Sequence, residues 1–363
     1  MTNFRALSVS AGISLIIWGM GETANAADLR NAPLFNNVSS YNTTITANND
    51  LADIYFPNPS DLRTGNYSFP VALLLQGFNV NKSDYSQFAS IVASYGFVVV
   101  VPNSVRTLPQ PLQPFFGTTG LFPQISQINA VLAQIRTENS NQSSPVAGVV
   151  NTQKLGLLGH SAGGAVGLSA IANICLPFIC EGSFSRPNEL VAGAFFGANL
   201  RNQITQEFIP INNTGIPIAL LQGTLDSIGL PERAQRTYDN IQTPPKALVS
   251  ILGANHYGIT NSNNPTGPVP DSNSPTIPQD VAVETVARWS ALFLRASVFN
   301  DRDAFDYVYS TGDALDGNVT VISQVQPVPE ASSTTGLVMF GAAGAFLGVR
   351  KRKLQVKDKQ SVG

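Results

Sequence analysis

Charge is what this chain has least of. Only 12% of its 363 residues are charged, and 21 Lys and Arg against 23 Asp and Glu leave a net charge of −2. A nucleic-acid partner needs a basic stripe or patch. The one dense basic run, Arg-Lys-Arg-Lys at 350–353, sits near the C-terminus beside an apolar segment, so the composition argues against nucleic acid. Histidine and cysteine are equally scarce, with two of each. Two cysteines without clustered histidines make no zinc site, and no metal or other cofactor is expected. No internal repeat is present. What remains, 43% hydrophobic residues and 24 prolines, describes a loop-rich globular protein with a large core.

Against that background one stretch stands out, Lys-Leu-Gly-Leu-Leu-Gly-His-Ser-Ala-Gly-Gly at 154–164. A short apolar run ends in G-x-S-x-G with Ser161 at its centre, the pattern of a nucleophile elbow. A serine hydroxyl attacks poorly until it is lifted onto a tight strand-to-helix turn and handed to a base. Gly159 and Gly163 fit where side chains would clash, and the small residues that follow can start a helix at once. That places the helix N-terminus and the Ala162 amide against developing negative charge. The motif is short and the chain holds 30 glycines, so its context has to support it.

The scarcity of histidine narrows the search for a base. His160 adjoins the nucleophile, where neighbouring side chains diverge, and reads as a packing residue under the turn. His256, in Leu-Gly-Ala-Asn-His-Tyr-Gly at 252–258, follows an expected strand and is the candidate base. The third member is a carboxylate that fixes the imidazole tautomer. Asp226 follows an apolar strand, whereas Glu232 and Asp239 fall in a helical pattern and read as solvated charges. The order Ser161, Asp226, His256 is that of α/β-hydrolases.

Strands are expected at 40–46, 51–56, 69–75, 96–101, 154–158, 190–196, 217–222 and 247–252, and helices near 85–95, 123–136, 163–174, 231–240 and 280–299. Runs such as VALLL and FVVVV imply strands buried on both faces. The fold class is α/β, with a mainly parallel central sheet flanked by helices.

Both ends read as addresses. Residues 1–26 carry Arg5, an apolar core and an Ala24-Asn-Ala26 cleavage site, a signal peptide that implies export to the cell envelope, outer surface or medium. The catalytic domain is then 27–326. Residues 327–363 hold Val-Pro-Glu-Ala-Ser, an apolar stretch whose 19 residues from Ala331 to Val349 match a bilayer core of roughly 30 Å, and the basic cluster. This tail resembles the PEP-CTERM sorting signal, which implies membrane attachment and exosortase processing, although Ala331 replaces the usual second proline. Cys175 and Cys180 either close a small disulfide loop in an oxidising space or remain two buried thiols.

Four blocks resemble secreted α/β-hydrolases of the dienelactone hydrolase, chlorophyllase and cutinase-like polyester hydrolase group. They are QGF with Tyr85 and YGFVVV, GHSAGG, GTLDSIGLPERAQRTYD, and GANHYGITN. The resemblance implies a serine carboxylic ester hydrolase. By position it implies that the backbone amides of Phe78 and Ala162 form the oxyanion hole and that the Phe78 ring touches substrate. Gln76 stands where such enzymes often carry histidine or proline, and Ala162 where methionine or arginine is common, so substrate preference does not transfer. Tyr257, beside the base, is a further candidate for the substrate pocket, while Phe195 and Phe196 read as core. The Asn/Pro/Ser-rich segment 261–279 reads either as a lid or as a flexible insertion. Chlorophyllase-like or lipase-like specificity, a serine peptidase or acyltransferase, and a non-catalytic binding protein on the same fold are the alternatives.

Overall fold

The computed structural model describes residues 32–58, 67–202 and 204–325. The signal-peptide reading of 1–26 and the sorting-segment reading of 327–363 lie outside these residues. In chain order the strands are β1 (Val38–Ile45), β2 (Asp50–Pro57), β3 (Phe69–Leu75), β4 (Val98–Pro102), β5 (Val105–Thr107), β6 (Thr119–Leu121), β7 (Val150–His160), β8 (Leu190–Phe196), β9 (Ile218–Gly223), β10 (Lys246–Ile251) and β11 (Val319–Gln324). Nine of them form one sheet in the order β1-β2-β4-β3-β7-β8-β9-β10-β11, while β5 and β6 make a separate ribbon. From β4 to β10 neighbours run parallel; β1, β2 and β11 supply the antiparallel margins.

The central strands are buried because their side chains alternate between two apolar layers. In β3, Ala72 and Leu74 point into one core, and Val71, Leu73 and Leu75 into the other. The run of valines in β4 divides in the same way. Helices α1 (Ser86–Ser94) and α5 (Gln279–Leu294) cover the first face with Phe88, Val92, Trp289 and Phe293. On the second face lie α2 (Ser126–Ser140), α3 (Ala162–Ala172) and α4 (Pro231–Asn240), through residues such as Ile128, Val166 and Tyr238. Each such side chain contributes about 1.5–3 kcal/mol on leaving water, so neither layer of helices is dispensable. This is the α/β-hydrolase fold.

The expected elements are present, with boundary shifts of a few residues. Three strands were not anticipated. β5 and β6 are only three residues each, and β11 pairs antiparallel with β10 from Lys246↔Gln324 to Ile251↔Val319. Its alternating exposure is that of an edge strand with one face on the core. What positions the site is the direction of the parallel strands. The loops after β3, β7, β9 and β10 leave the same edge of the sheet, carrying Gly77 and Phe78, Ser161, Asp226 and His256 respectively. The carboxyl ends of parallel strands are where such sheets bind ligands.

Candidate active site

Ser161 stands between β7 and α3 at φ 53° and ψ −118°, a backbone conformation that an L-residue adopts only under constraint. Two features impose it. The Ser161 N–H donates to the Phe196 carbonyl at 2.9 Å, and the first turn of α3 is driven hard against β3. A Cβ on Gly163 would stand 2.1 Å from the Leu75 carbonyl oxygen, so only glycine permits this approach. Phe195 and Phe196 are buried core residues, as the sequence suggested.

Asp226 and His256 meet 30 residues apart in sequence, with Nδ1 of the imidazole 2.8 Å from Oδ2 of the carboxylate. A carboxylate only accepts, so Nδ1 carries the proton and Nε2 is left with a lone pair. Both side chains are almost completely buried. The carboxylate is nonetheless fully engaged: the amides of Ile228 and Gly229 donate to Oδ1 at 2.8 and 2.6 Å, and the Gln222 carboxamide donates to Oδ2 at 3.1 Å. Gly197, at φ 60°, lets the backbone after β8 pass beside the pair, where a Cβ would lie 3.0 Å from His256 Nδ1 and 3.1 Å from Asp226 Oδ2. The competing carboxylates Glu232 and Asp239 are exposed on α4, and Asp239 accepts from Gln235.

Ser161, His256, Phe78 and Tyr257 line a single small cavity of about 120 Å³. Among the described residues the amide N–H groups of Phe78 and Ala162 donate to no protein acceptor, and Ala162 occupies the first helical position, where no intrahelical acceptor exists. The Phe78 ring is half-buried, edge-on to Phe116 and Phe122 with centroids at 4.8 and 5.9 Å. Gln76 is fully buried, and its carboxamide, oriented to satisfy both groups, donates to the Pro102 carbonyl and accepts from Ser104 N–H. It ties the end of β3 to the end of β4 and takes no part in the cavity.

His160 is buried as expected, but it does more than pack. Nε2 lies 2.9 Å from the His256 carbonyl oxygen, and Nδ1 lies 2.9 Å from the Tyr85 hydroxyl, which accepts from the Gly77 amide at 2.8 Å. A carbonyl cannot donate, so Nε2 carries the ring proton and Tyr85 donates to Nδ1. The loop bearing Phe78 is thus bonded through two side chains to the backbone of His256. Burial, assisted by the neighbouring His256, pushes the His160 imidazole down to about 3, and burial holds the Tyr85 phenol far above its usual range.

A depressed imidazole makes the fold sensitive to acid. The unfolded chain takes up this proton below about 6.5, so the stability due to neutral His160 is complete above that pH. It then declines by about 1.4 kcal/mol per pH unit as acidity rises toward the folded value. Denaturant titrations should therefore show a shallower acid slope for His160→Gln than for the native chain. Parallel slopes between about pH 6 and pH 4.5 would contradict this reading.

Of the two readings of segment 261–279, the overhanging one fits: Pro268 and Val269 line the cavity with Ser161 and His256, and the segment is braced against the site. Asp271 accepts from the His256 amide at 2.8 Å, from the Asn273 amide at 2.8 Å, and from both the hydroxyl and the amide of Ser227. Burial alone would raise its carboxyl, but these donors outweigh burial and hold it below the ordinary range. Tyr257 is buried and donates its hydroxyl to the Val269 carbonyl, so its ring walls the cavity while its polar end anchors the segment. Asp271 was not recognisable from sequence. Its replacement by alanine strands several buried donors at about 1–3 kcal/mol each, and Asp271→Ala should lose about 3 kcal/mol in urea unfolding. A loss within the surface-mutation range of about 0.5 kcal/mol would show that the segment is not braced in this way.

Cys175 and Cys180 are joined in a disulfide. The loop they close, together with residues of two other loops, borders a larger cleft of about 460 Å³ that also touches Ala162 and Ala165 of α3. Its residues carried no signal in the sequence. Among the described residues no cluster of three or more metal-ligating side chains occurs, and no helix is long and apolar enough to cross a membrane.

Residues 43–176 match the family model described as Chlorophyllase. Over 97 residues the chain is 30% identical to chlorophyllase type 0 of Chenopodium album, a stretch that takes in 26% of each protein. The chain thus spans about a quarter of the length of this curated relative. The family match includes β3, the Gly77-Phe78 loop and the elbow, and it ends before Asp226 and His256.

Proposed function

We propose that this chain is an exported serine hydrolase of carboxylic esters. Ser161 attacks the ester carbonyl, His256 takes the hydroxyl proton at Nε2 and returns it to the leaving alcohol, and Asp226 fixes the tautomer and balances the imidazolium. The amides of Phe78 and Ala162 face the oxyanion. Water then repeats the sequence on the acyl-enzyme, so no cofactor is required. The observation that carries the reading is the buried Asp226–His256 pair at 2.8 Å, whose imidazole lines the same cavity as a serine held at positive φ. The similarity to chlorophyllases supports ester chemistry over peptide hydrolysis.

Hydrolysis of p-nitrophenyl acetate by the purified protein, with covalent capture of Ser161 by a fluorophosphonate, tests the assignment. Failure of both would remove it. Export and envelope attachment rest on the terminal segments, and fractionation with N-terminal sequencing tests them: a cytoplasmic protein beginning at Met1 would refute export.

A further inference from the structure

The cavity beside Ser161 is small, about 120 Å³, whereas the larger cleft of about 460 Å³ is lined by Ala162, the residue that follows the serine. Ala162 and Ala165 line it, so it borders the first turn of the helix that follows Ser161. Its size falls in the range that encloses a drug-sized ligand. The walls are apolar: Leu112, Phe122, Leu176 and Phe178. They are also built in place. The disulfide closes the 175–180 loop, the Ile125 amide donates to the Ile179 carbonyl at 2.9 Å, and the Gln124 carboxamide donates to the Phe178 carbonyl at 2.8 Å. Phe178 is held at φ 72° and is 42% exposed.

One lining residue is charged. Arg201 is half-buried, and among the described residues no carboxylate pairs with it. Partial burial, and then the neighbouring cation Arg233, disfavour the guanidinium charge. A partly desolvated arginine without an anion is costly, and the geometry that relieves it is a bidentate carboxylate. Resting on the ester-hydrolase reading, we propose that the preferred substrate is an ester with one small group and one bulky apolar group that ends in an anion, the apolar body filling the cleft and the anion meeting Arg201.

Two matched pairs of esters test this on the full-length protein. The monomethyl ester of octanedioic acid is compared with methyl octanoate, and 8-acetoxyoctanoic acid with octyl acetate; the pair that discriminates shows which side of the ester enters the cleft. In at least one pair kcat/KM should favour the carboxylate about tenfold, a size consistent with one charge pair near a protein surface. Arg201→Gln should bring that ratio to about one, Arg201→Lys should keep most of it, and added salt should lower it. Ala165→Phe should cut hydrolysis of the longer esters relative to p-nitrophenyl acetate. In case that variant misfolds, Ile204→Asp places an anion at the exposed lip, where Ile204 is 74% accessible, and should reverse or abolish the preference. Native ratios below twofold, or a ratio unchanged in Arg201→Gln, would overturn the inference while p-nitrophenyl acetate turnover leaves the hydrolase reading standing. Silence on every ester would overturn both.

Discussion

Replacing Ser161 with alanine should abolish ester hydrolysis while leaving the fold intact. In the proposed mechanism Ser161, His256 and Asp226 act as one unit, so loss of the hydroxyl would remove the whole acyl-enzyme route. The expected fall in kcat is on the order of 10⁶, about 8 kcal/mol of barrier. Stability should hold about steady, because alanine keeps the Cβ and therefore the same positive-φ backbone, and the serine hydroxyl contributes no hydrogen bond that the fold depends on. Steady-state turnover of p-nitrophenyl acetate, read beside a thermal melt, gives both quantities. Retention of more than about a hundredth of the native rate would show that another residue carries the attack.

Asp226→Asn should be nearly as damaging, though for a different reason. The amides of Ile228 and Gly229 would still find an oxygen, so the loop keeps its shape. An asparagine that offers its NH₂ to His256 Nδ1 instead stabilises the wrong tautomer and leaves Nε2 protonated, unable to accept from serine. A drop of about 10⁴ in kcat is expected, between 5 and 6 kcal/mol by the same arithmetic. Glu232→Gln and Asp239→Asn, on the exposed face of α4, should lie within a factor of about two of native. If either control matched the Asp226 variant, the acid would have to be reassigned.

The parts of this site that were legible in the sequence obey local rules. Gly159 and Gly163 mark Ser161 because a close turn leaves no room for side chains, and that constraint is written within five residues. His256 stood out because histidine is so rare here, and Asp226 because it directly follows an apolar strand. What could not be read depends on contacts made across the fold. Asp271 lies in a segment whose asparagines, prolines and serines have the composition of a flexible loop, yet it supports the backbone of His256. Leu112, Leu176 and Arg201 come together from three loops with no shared period. β11 does carry a local signal: a Gly317-Asn318 turn precedes the alternation of Val319-Thr320-Val321-Ile322, close to the apolar C-terminal stretch.

The links from Gly77 through Tyr85 and His160 to His256 also limit where the catalytic proton can go. Every bond in that series points the same way, starting at a peptide N–H that cannot be given up and ending at a peptide oxygen that cannot take a proton at neutral pH. A proton wire has to reset by reversing each donor and acceptor, and this one is blocked at both ends. The imidazole directly beneath the nucleophile is therefore a spectator to the chemistry. In the proposed mechanism the proton leaving Ser161 then has no exit through the floor of the site: it would stay on the ring of His256 until the leaving group collects it, so departure of the alcohol and regeneration of the base would become a single event.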